Sequence, residues 1–579
     1  MLRRILFRDP DGGWLSFENP AHVFVADTAA DVPGLVAELE TAQAGSGHVA
    51  AGYLAYEAAA GFDPALRTQP PDGRPVACFG LFAAPARLPT LPGAGSEGRE
   101  PRAWTLATGR HAYAQKIAAI RREIARGNTY QVNFTLRLAG RAEDGGWPLF
   151  RRVSEEAPYA AWLEFDRFAI ASASPELFFR LDGEHIVCRP MKGTARRGMT
   201  TSEDRAIAAQ LEASRKNRAE NVMITDMIRN DLGRIAEPGS VRVDALYAIE
   251  KYPTLWQMTS SVSARTEAGI GQILAALFPC ASITGAPKKS SMDIIAGLED
   301  GPRGVYTGAI GWFGPDRRAT FSVAIRTAVV DRQTGKAWYG AGGGIVWDSD
   351  PDEEYDECVL KARVLGAAGD AEPFELLETL RWSAADGWCL LDEHLERLRD
   401  TAEYFDYDFE RAAVEQALAA AVADVGLPLA RVRLRLARDG TPAVTVAAVD
   451  DPVAEPVIRL AAGPIDPLDP FLYHKTTRRT VYERALRSVP GADDVLLWNP
   501  DGFVTSRPPV SAGLLAGTFR RRLLENGELE ERPIHRDELE NGMDITLFNS
   551  VRGLYGARLE LPERAGRGAP PAPRSQRSG

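Results

Sequence analysis

Lysine is scarce in this chain: nine lysines stand against fifty-nine arginines in 579 residues. Basic surface positions are filled by Arg, so a retained Lys is weighted towards amine chemistry. An ammonium can be brought to lose its proton near neutrality, whereas a guanidinium stays charged. Cysteine is scarce as well. Cys78, Cys188, Cys280, Cys358 and Cys389 lie far apart with no CxxC pair, which argues against a structural zinc site and points to a reducing compartment. Positive charge is not in excess. The 68 basic and 79 acidic side chains leave a net charge of −11, which argues against a nucleic-acid binder that works by charge. No apolar run reaches the roughly 18 residues of a membrane span, and the opening MLRRILFRDPDGGW lacks the apolar core of a signal peptide. No membrane partner and a cytoplasmic location are therefore expected. A hydrophobic content of 45% and a charged content of 25% are those of a globular protein, with length for about three or four domain-sized units.

The chain is predicted to be α+β, in two large units. Residues 84–103 are rich in Pro, Gly and Ala and read as an internal linker after an opening module. The first unit runs over 1–365, residues 366–373 form a linker, the second unit covers 374–562, and 563–579 form a frayed tail. FAIASASPELFFRL (168–181) reads as strand, turn, strand, and 319–331 as one strand. Residues 203–235 read as a single helix with Gly233 just past its end, and 352–365 as another. In the second unit, helices are expected at 393–405 and 410–425 and a strand at 430–437.

Several residues stand where chemistry is plausible. Glu357 and Lys361 are four apart on one helix face, with Glu354 a turn earlier. The Gly run in YGAGGGIVWDSDP (339–351) reads as a strand running into a turn whose backbone N–H groups approach an anion, or as a tight turn or bulge. Glu220 lies on a second helix; together with Glu357 it would suffice for Mg²⁺, which keeps its waters and uses one or two protein carboxylates. Arg326, on an apolar strand, wants a carboxylate partner. Lys192 lies in a Pro/Gly-bounded turn, CRPMKGTARRG.

Six ordered motifs resemble one family, the chorismate-utilising enzymes. They are SPE (174–176), PMKGT (190–194), AENVMITDMIRNDLGRI (219–235), TGAPK (284–288), AIRT (324–327) and AGGGIVWDSDPDEEYDECVLK (341–361). The resemblance covers about 1–365 and implies a large α/β sandwich domain. Within the family, PMKGT resembles the aminodeoxychorismate synthases, where anthranilate-type members carry PIAGT. That likeness implies that Lys192 attacks the chorismate ring as the C4 hydroxyl leaves, and that Glu176 is the general acid/base. It also implies Mg²⁺ on Glu220 and Glu357, with Gly193, Thr194, Tyr306, Arg326, Gly342, Gly343, Gly344 and Lys361 holding the substrate. Gln257, in YPTLWQMTS, stands where anthranilate-type members carry a proton-shuttling His. The first unit is then expected to aminate chorismate and keep its enolpyruvyl group. No Cys has the setting of a glutaminase nucleophile, so ammonia is expected from a separate glutamine amidotransferase subunit.

The second unit resembles fold-type-IV pyridoxal-phosphate enzymes, aminodeoxychorismate lyase above all. The likeness rests on DEHLERLRDTAEYF (392–405), YHKTTRR (473–479), LLWNPDGFVT (496–505), SAGLLAGTFRRRLL (511–524) and LFNSVRG (547–553). It implies that Lys475 carries pyridoxal 5′-phosphate and that Arg397, Thr518, Phe519 and Ser550 bind its phosphate. It also raises the prospect of a homo-oligomer. Ser506 replaces the Glu that pairs with the pyridine nitrogen, and a hairpin is missing from this α/β domain. Two readings stay open for this unit: a lyase that yields p-aminobenzoate for folate synthesis, or a non-catalytic docking module. An anthranilate- or salicylate-type enzyme is the rival for the first unit.

Overall fold

Apolar residues that alternate or run together build two antiparallel sheets in the first unit, each of ten strands among the described residues. The structure is a computed structural model. It describes the chain apart from residues 94–103, 143, 155–156, 253–254, 363–364, 366–373, 450–454, 506–514, 516 and 562–579. The chain divides into two units: Met1–Arg196 with Ala208–Ala371, and Arg197–Ile207 with Glu372–Gly579. The expected 366–373 linker, the 563–579 tail and Ser506 lie outside the described residues.

In the first unit the inner faces of the two sheets share one core. Leu163, Phe165 and Ile170 of one sheet cluster there with Tyr53, Phe79 and Phe321 of the other. The rings of Tyr53 and Phe165 meet edge to face at 5.9 Å. The outer face of the first sheet is covered by helices, among them Arg110–Ala125 and Pro351–Ala362, around Tyr113, Phe134 and Cys358. Among the described residues the opening segment forms no separate module. Leu2–Arg8 pairs with Tyr159–Phe165, and Val49–Leu54 pairs with Ala309–Gly314. The start of the chain therefore lies inside both sheets. Part of the expected linker is also strand, Ala86–Leu88 paired with Trp14–Glu18.

Four local expectations are corrected. The single helix over 203–235 is two, Thr201–Ala213 and Arg215–Gly233. Ser214 is extended between them, and its side chain accepts from Asn217 N to start the second helix. Gly233 is the last helical residue, and Arg234 follows it as the C-cap. The strand over 319–331 is broken into Arg318–Val323 and Thr327–Asp331 around Arg326, whose φ of 49° is left-handed. The Gly run is no turn: Gly340 to Gly344 lie within the strand Lys336–Ile345, in unbroken register with Asn133 to Arg137.

The second unit has two four-stranded sheets among its described residues. One is antiparallel, in the order Gly387–Cys389, Leu376–Ser383, Leu429–Leu436, Pro442–Ala448. In LARVRLRL the side chains alternate, so Ala430, Val432, Leu434 and Leu436 enter the core while the arginines take the other face. The helices Leu391–Phe405 and Arg411–Val422 cover the apolar face with Leu395, Leu398, Val414 and Leu418. In the other sheet, Val457–Leu460 pairs in parallel with both Asp494–Leu496 and Gly553–Glu560.

Candidate active site

The strand Met191–Arg196 carries Lys192 into a cavity in the first unit, rather than onto an exposed turn. Its register slips between Met191 and Thr194, where Gly193 has a φ of 95°. A Cβ at Gly193 would come within 3.0 Å of Asn217 Cβ, so both conformation and space call for Gly. Burial draws the Lys192 ammonium below its ordinary value against the pull of Glu220, and Lys361 helps lower it. Among the described residues no atom accepts a hydrogen bond from its Nζ.

Glu176 lies between the strands Phe168–Ser174 and Leu177–Asp182 and is 2% exposed. Burial pushes its carboxyl up to about 7, although a 2.6 Å hydrogen bond from Ser282 Oγ and the nearby Lys192 pull it down. Glu176 and Lys192 line the same cavity. Glu176 is drawn up and Lys192 down, which sets a carboxyl that keeps its proton beside an amine that gives its proton up more readily.

Arg326 lines the cavity as well. Its backbone carbonyl accepts from Ala173 N at 3.0 Å, and burial holds its guanidinium below the usual value. No described group accepts a hydrogen bond from that guanidinium. Lys361, by contrast, is engaged: Nζ lies 2.7 Å from Glu357 Oε1 and donates to Gly342 O at 2.8 Å. Gly342, Gly343, Gly344, Thr194 and Tyr306 complete the wall named from sequence. The glycines are needed for close approach. A Cβ would meet Phe134 O at 2.4 Å from Gly342 and Gln131 Nε2 at 2.2 Å from Gly344.

Glu220 and Glu357 face this cavity from the helices Arg215–Gly233 and Pro351–Ala362. Burial raises Glu220, and the charge of Glu357 adds to that rise. Burial raises Glu357, but Lys361, Lys192 and Lys216 together hold it below its usual value. Two carboxylates that repel one another across a shared space would be relieved by a divalent cation, and their number suits Mg²⁺. Among the described residues no group of three or more His, Cys, Asp or Glu is placed to hold a metal.

The sequence reading missed Ser282 here, and it named Glu354 and Gln257 without the contacts they make. Ser282 stands just before the TGAPK motif, and only the fold brings it to Glu176. Glu354 was read as a helix-face charge. It is 6% exposed, accepts from Ser349 Oγ at 2.8 Å, and is pushed up to about 7 by burial and by Glu357. Gln257 is used structurally: its Nε2 donates to Gly193 O at 2.8 Å and its Oε1 accepts from Thr194 Oγ1 at 3.1 Å. It holds the Lys192 strand in place.

In the second unit Lys475 lines a separate cavity of about 670 Å³. Burial lowers its amine to about 8 against the opposing charge of Glu378, with Arg397, Arg479 and Arg433 adding to the drop. Lys475 Nζ is 3.9 Å from Glu378 Oε2. Glu378 is the organising acid that sequence reading missed. It accepts from Arg397 Nε at 2.8 Å and Arg397 Nη2 at 2.6 Å, and its Oε2 lies 2.7 Å from His394 Nδ1. Thr518, at the start of the helix Thr518–Glu525, reaches His394 Nε2 at 3.3 Å. Ser550 donates to Thr379 O at 3.4 Å, and the Phe519 ring packs near Phe548. Arg397, Thr518 and Ser550 stand around Glu378, His394 and the Glu378 strand, Phe519 packs by Phe548, and none of the four is on the cavity wall. A buried amine near 8 on a roomy cationic cavity fits pyridoxal phosphate at Lys475.

Residues 3–366 match the family model for chorismate binding enzymes, and residues 375–507 match that for class IV amino-transferases. The aminodeoxychorismate synthase of Streptomyces griseus is 43% identical over 262 residues, which are 44% of this chain and 36% of that protein. Aminodeoxychorismate synthase component 1 of Bacillus subtilis is 40% identical over 254 residues, 43% of this chain and 54% of that protein. An anthranilate synthase component 1 of Haloarcula marismortui is 40% identical over 267 residues, 45% of this chain and 52% of that protein. The chain thus spans about a third to a half of the length of these relatives. Among solved structures, anthranilate synthase component I from Streptococcus pneumoniae aligns with a TM-score of 0.54 at 23% identity, over 63% of this chain and 92% of that one. This likeness is one of fold. No helix among the described residues is long and apolar enough to cross a membrane.

Proposed function

Because this chain belongs to the chorismate-binding enzyme family, we propose that its first unit aminates chorismate to 4-amino-4-deoxychorismate. We propose further that its second unit expels pyruvate from that product to leave p-aminobenzoate. The catalytic units would be about 1–365 and 374–562. The observation that carries the first assignment is Lys192: a buried amine with a lowered proton affinity, sharing a cavity with Glu176.

In its neutral form Lys192 has a lone pair to attack the chorismate ring as the C4–O bond breaks. Glu176, protonated near neutrality, gives its proton to the departing hydroxyl, which leaves as water. Ammonia then adds at C4, the Lys192 amine leaves the ring, and Glu176 takes back a proton from the new ammonium. Arg326 and Lys361 would hold substrate carboxylates. Glu220 and Glu357 would hold Mg²⁺, which when bound supplies positive charge for an anionic substrate. The Gln257 amide is bonded to the Lys192 strand and moves no proton, so the enolpyruvyl group is retained. Relatives named component 1 support a separate glutaminase as the ammonia source.

In the second unit Lys475 would hold pyridoxal phosphate, which supplies an electron sink. With an amine lowered to about 8, Lys475 is suited to take up a ring proton before pyruvate leaves. One assay tests both halves: chorismate, Mg²⁺ and ammonium salts, with products separated by chromatography. Aminodeoxychorismate and p-aminobenzoate are expected. Aminodeoxychorismate alone would remove the second activity and leave this unit a docking role. Anthranilate or salicylate would overturn the first assignment.

A further inference from the structure

The cavity beside Lys475 is lined by arginines that the cofactor assignment does not use. Arg433 stands on the strand Leu429–Leu436 between Val432 and Leu434, both 0% exposed in the core. Alternation therefore turns Arg433 to the opposite face, which is the cavity wall. Arg478 and Arg479 reach the same cavity from the segment just after Lys475. Arg478 lies 4.5 Å over the Phe471 ring and Arg479 lies 5.4 Å over that of Tyr482. Stacking fixes a guanidinium plane while leaving its N–H edge free for an acceptor.

No described carboxylate lies within ion-pairing distance of these three arginines. The contrast with Arg435 is direct. It is the next residue on the face of Arg433, stands off the cavity, and is paired with Glu375 at 2.9 Å. Glu378, the acid beside Lys475 among the described residues, is already bound by Arg397 and His394. Arg433, Arg478 and Arg479 thus face, with Arg431 and Lys475, a cavity of about 670 Å³, and these three have no described carboxylate paired to them. Self-repulsion of that kind is a standing cost which an anionic ligand removes. Guanidinium forks match carboxylates in shape as well as charge.

We infer that Arg433, Arg478 and Arg479 form a clamp for a small dicarboxylate, set to hold it against the Lys475 amine. This rests on the proposed lyase reading and names how its substrate is recognised. Aminodeoxychorismate carries one carboxylate on the ring and one on the enolpyruvyl arm, and two separated anions need cations on more than one side. Arg433 comes from the sheet, while Arg478 and Arg479 come from the Lys475 segment. A single phosphate would not need all three.

The test uses the full chain loaded with pyridoxal phosphate and supplied with aminodeoxychorismate. In R433Q and R479Q, KM for p-aminobenzoate formation should rise about tenfold or more, with kcat held within about threefold. The Lys475-dependent absorbance should be unchanged, R433K should recover part of the loss, and R435Q should leave KM unaltered. Chorismate turnover by the first unit in each preparation reports folding. An unchanged KM in both Gln variants overturns the clamp while leaving the lyase reading intact. Weakened cofactor binding with KM unchanged also overturns it, assigning the arginines to phosphate. If no p-aminobenzoate forms at all, the lyase reading fails and calorimetric titration with chorismate in EDTA decides the clamp. One site per chain lost in R433Q supports it, and an unchanged number of sites overturns it.

Discussion

Ser282 Oγ donates a 2.6 Å hydrogen bond to Glu176 Oε1, and this bond pulls down a carboxyl that burial pushes up to about 7. Removing it in S282A should let Glu176 rise further. As the acid, Glu176 must be protonated, so activity falls as pH passes its value. The falling limb of kcat against pH should move up by about half to one pH unit in S282A. Wild-type stability should show the same group. The folded chain holds a proton that the unfolded chain releases, so the Glu176 contribution diminishes as pH rises from the unfolded carboxyl range through about 7. E176Q should cost roughly 10²–10⁴-fold in kcat. A limb that does not move in S282A would separate Ser282 from the titration.

Lys192 is expected to fail even under the mildest charge-conserving change. K192R keeps the positive charge but cannot supply a neutral amine. Amination should drop below about one per cent of wild type in K192R and K192A alike, as read by chorismate consumption with ammonium salts. Near-normal amination in K192R would show that only charge is needed at this position.

Lys475 gives a prediction with a spectroscopic readout. K475A should abolish the visible absorbance of lysine-bound pyridoxal phosphate. In wild type, the rate of cofactor capture should climb through about pH 8 as the amine loses its proton. Folding lowers this lysine, so its burial costs stability below about 8, and that cost fades as pH rises towards the unfolded value near 10.4. Absorbance that survives in K475A would place the cofactor elsewhere.

Arg397 and Glu378 form a buried ion pair, with Glu378 1% exposed and its carboxyl held well below the usual range despite burial. Truncation in R397A leaves that carboxylate without its main partner. Loss of one member of such a pair costs roughly 3–5 kcal/mol. Calorimetry of R397A should show a lower-temperature transition for the second unit, and R397A/E378Q should recover part of it. An R397A transition at the wild-type temperature would mean that His394 and Lys475 suffice to hold the acid.

The first cavity was legible in the sequence to an unusual degree. Every first-unit residue that the family resemblance assigned to the site, Lys192 and Glu176 among them, lines it. The local conformations were less legible. Gly342 to Gly344 read as a turn because glycine signals freedom, yet here they let Phe134 and Gln131 come close along a continuous strand. Arg326 read as mid-strand because its neighbours are apolar, and its left-handed φ leaves no mark in the residue pattern.

What the sequence determined by itself was the supply of chemistry. A chain with nine lysines that keeps Lys192, Lys361 and Lys475 had already marked three of the four amines lining the two candidate sites, Lys216 being the fourth. Tertiary structure alone decided their states. Whether Lys192 loses its proton depends on burial and on Glu220, twenty-eight residues away. Whether Glu176 holds one depends on Ser282, which lies more than a hundred residues further along. Such shifts come from desolvation and from charges brought close in space, and neither is a property of local sequence.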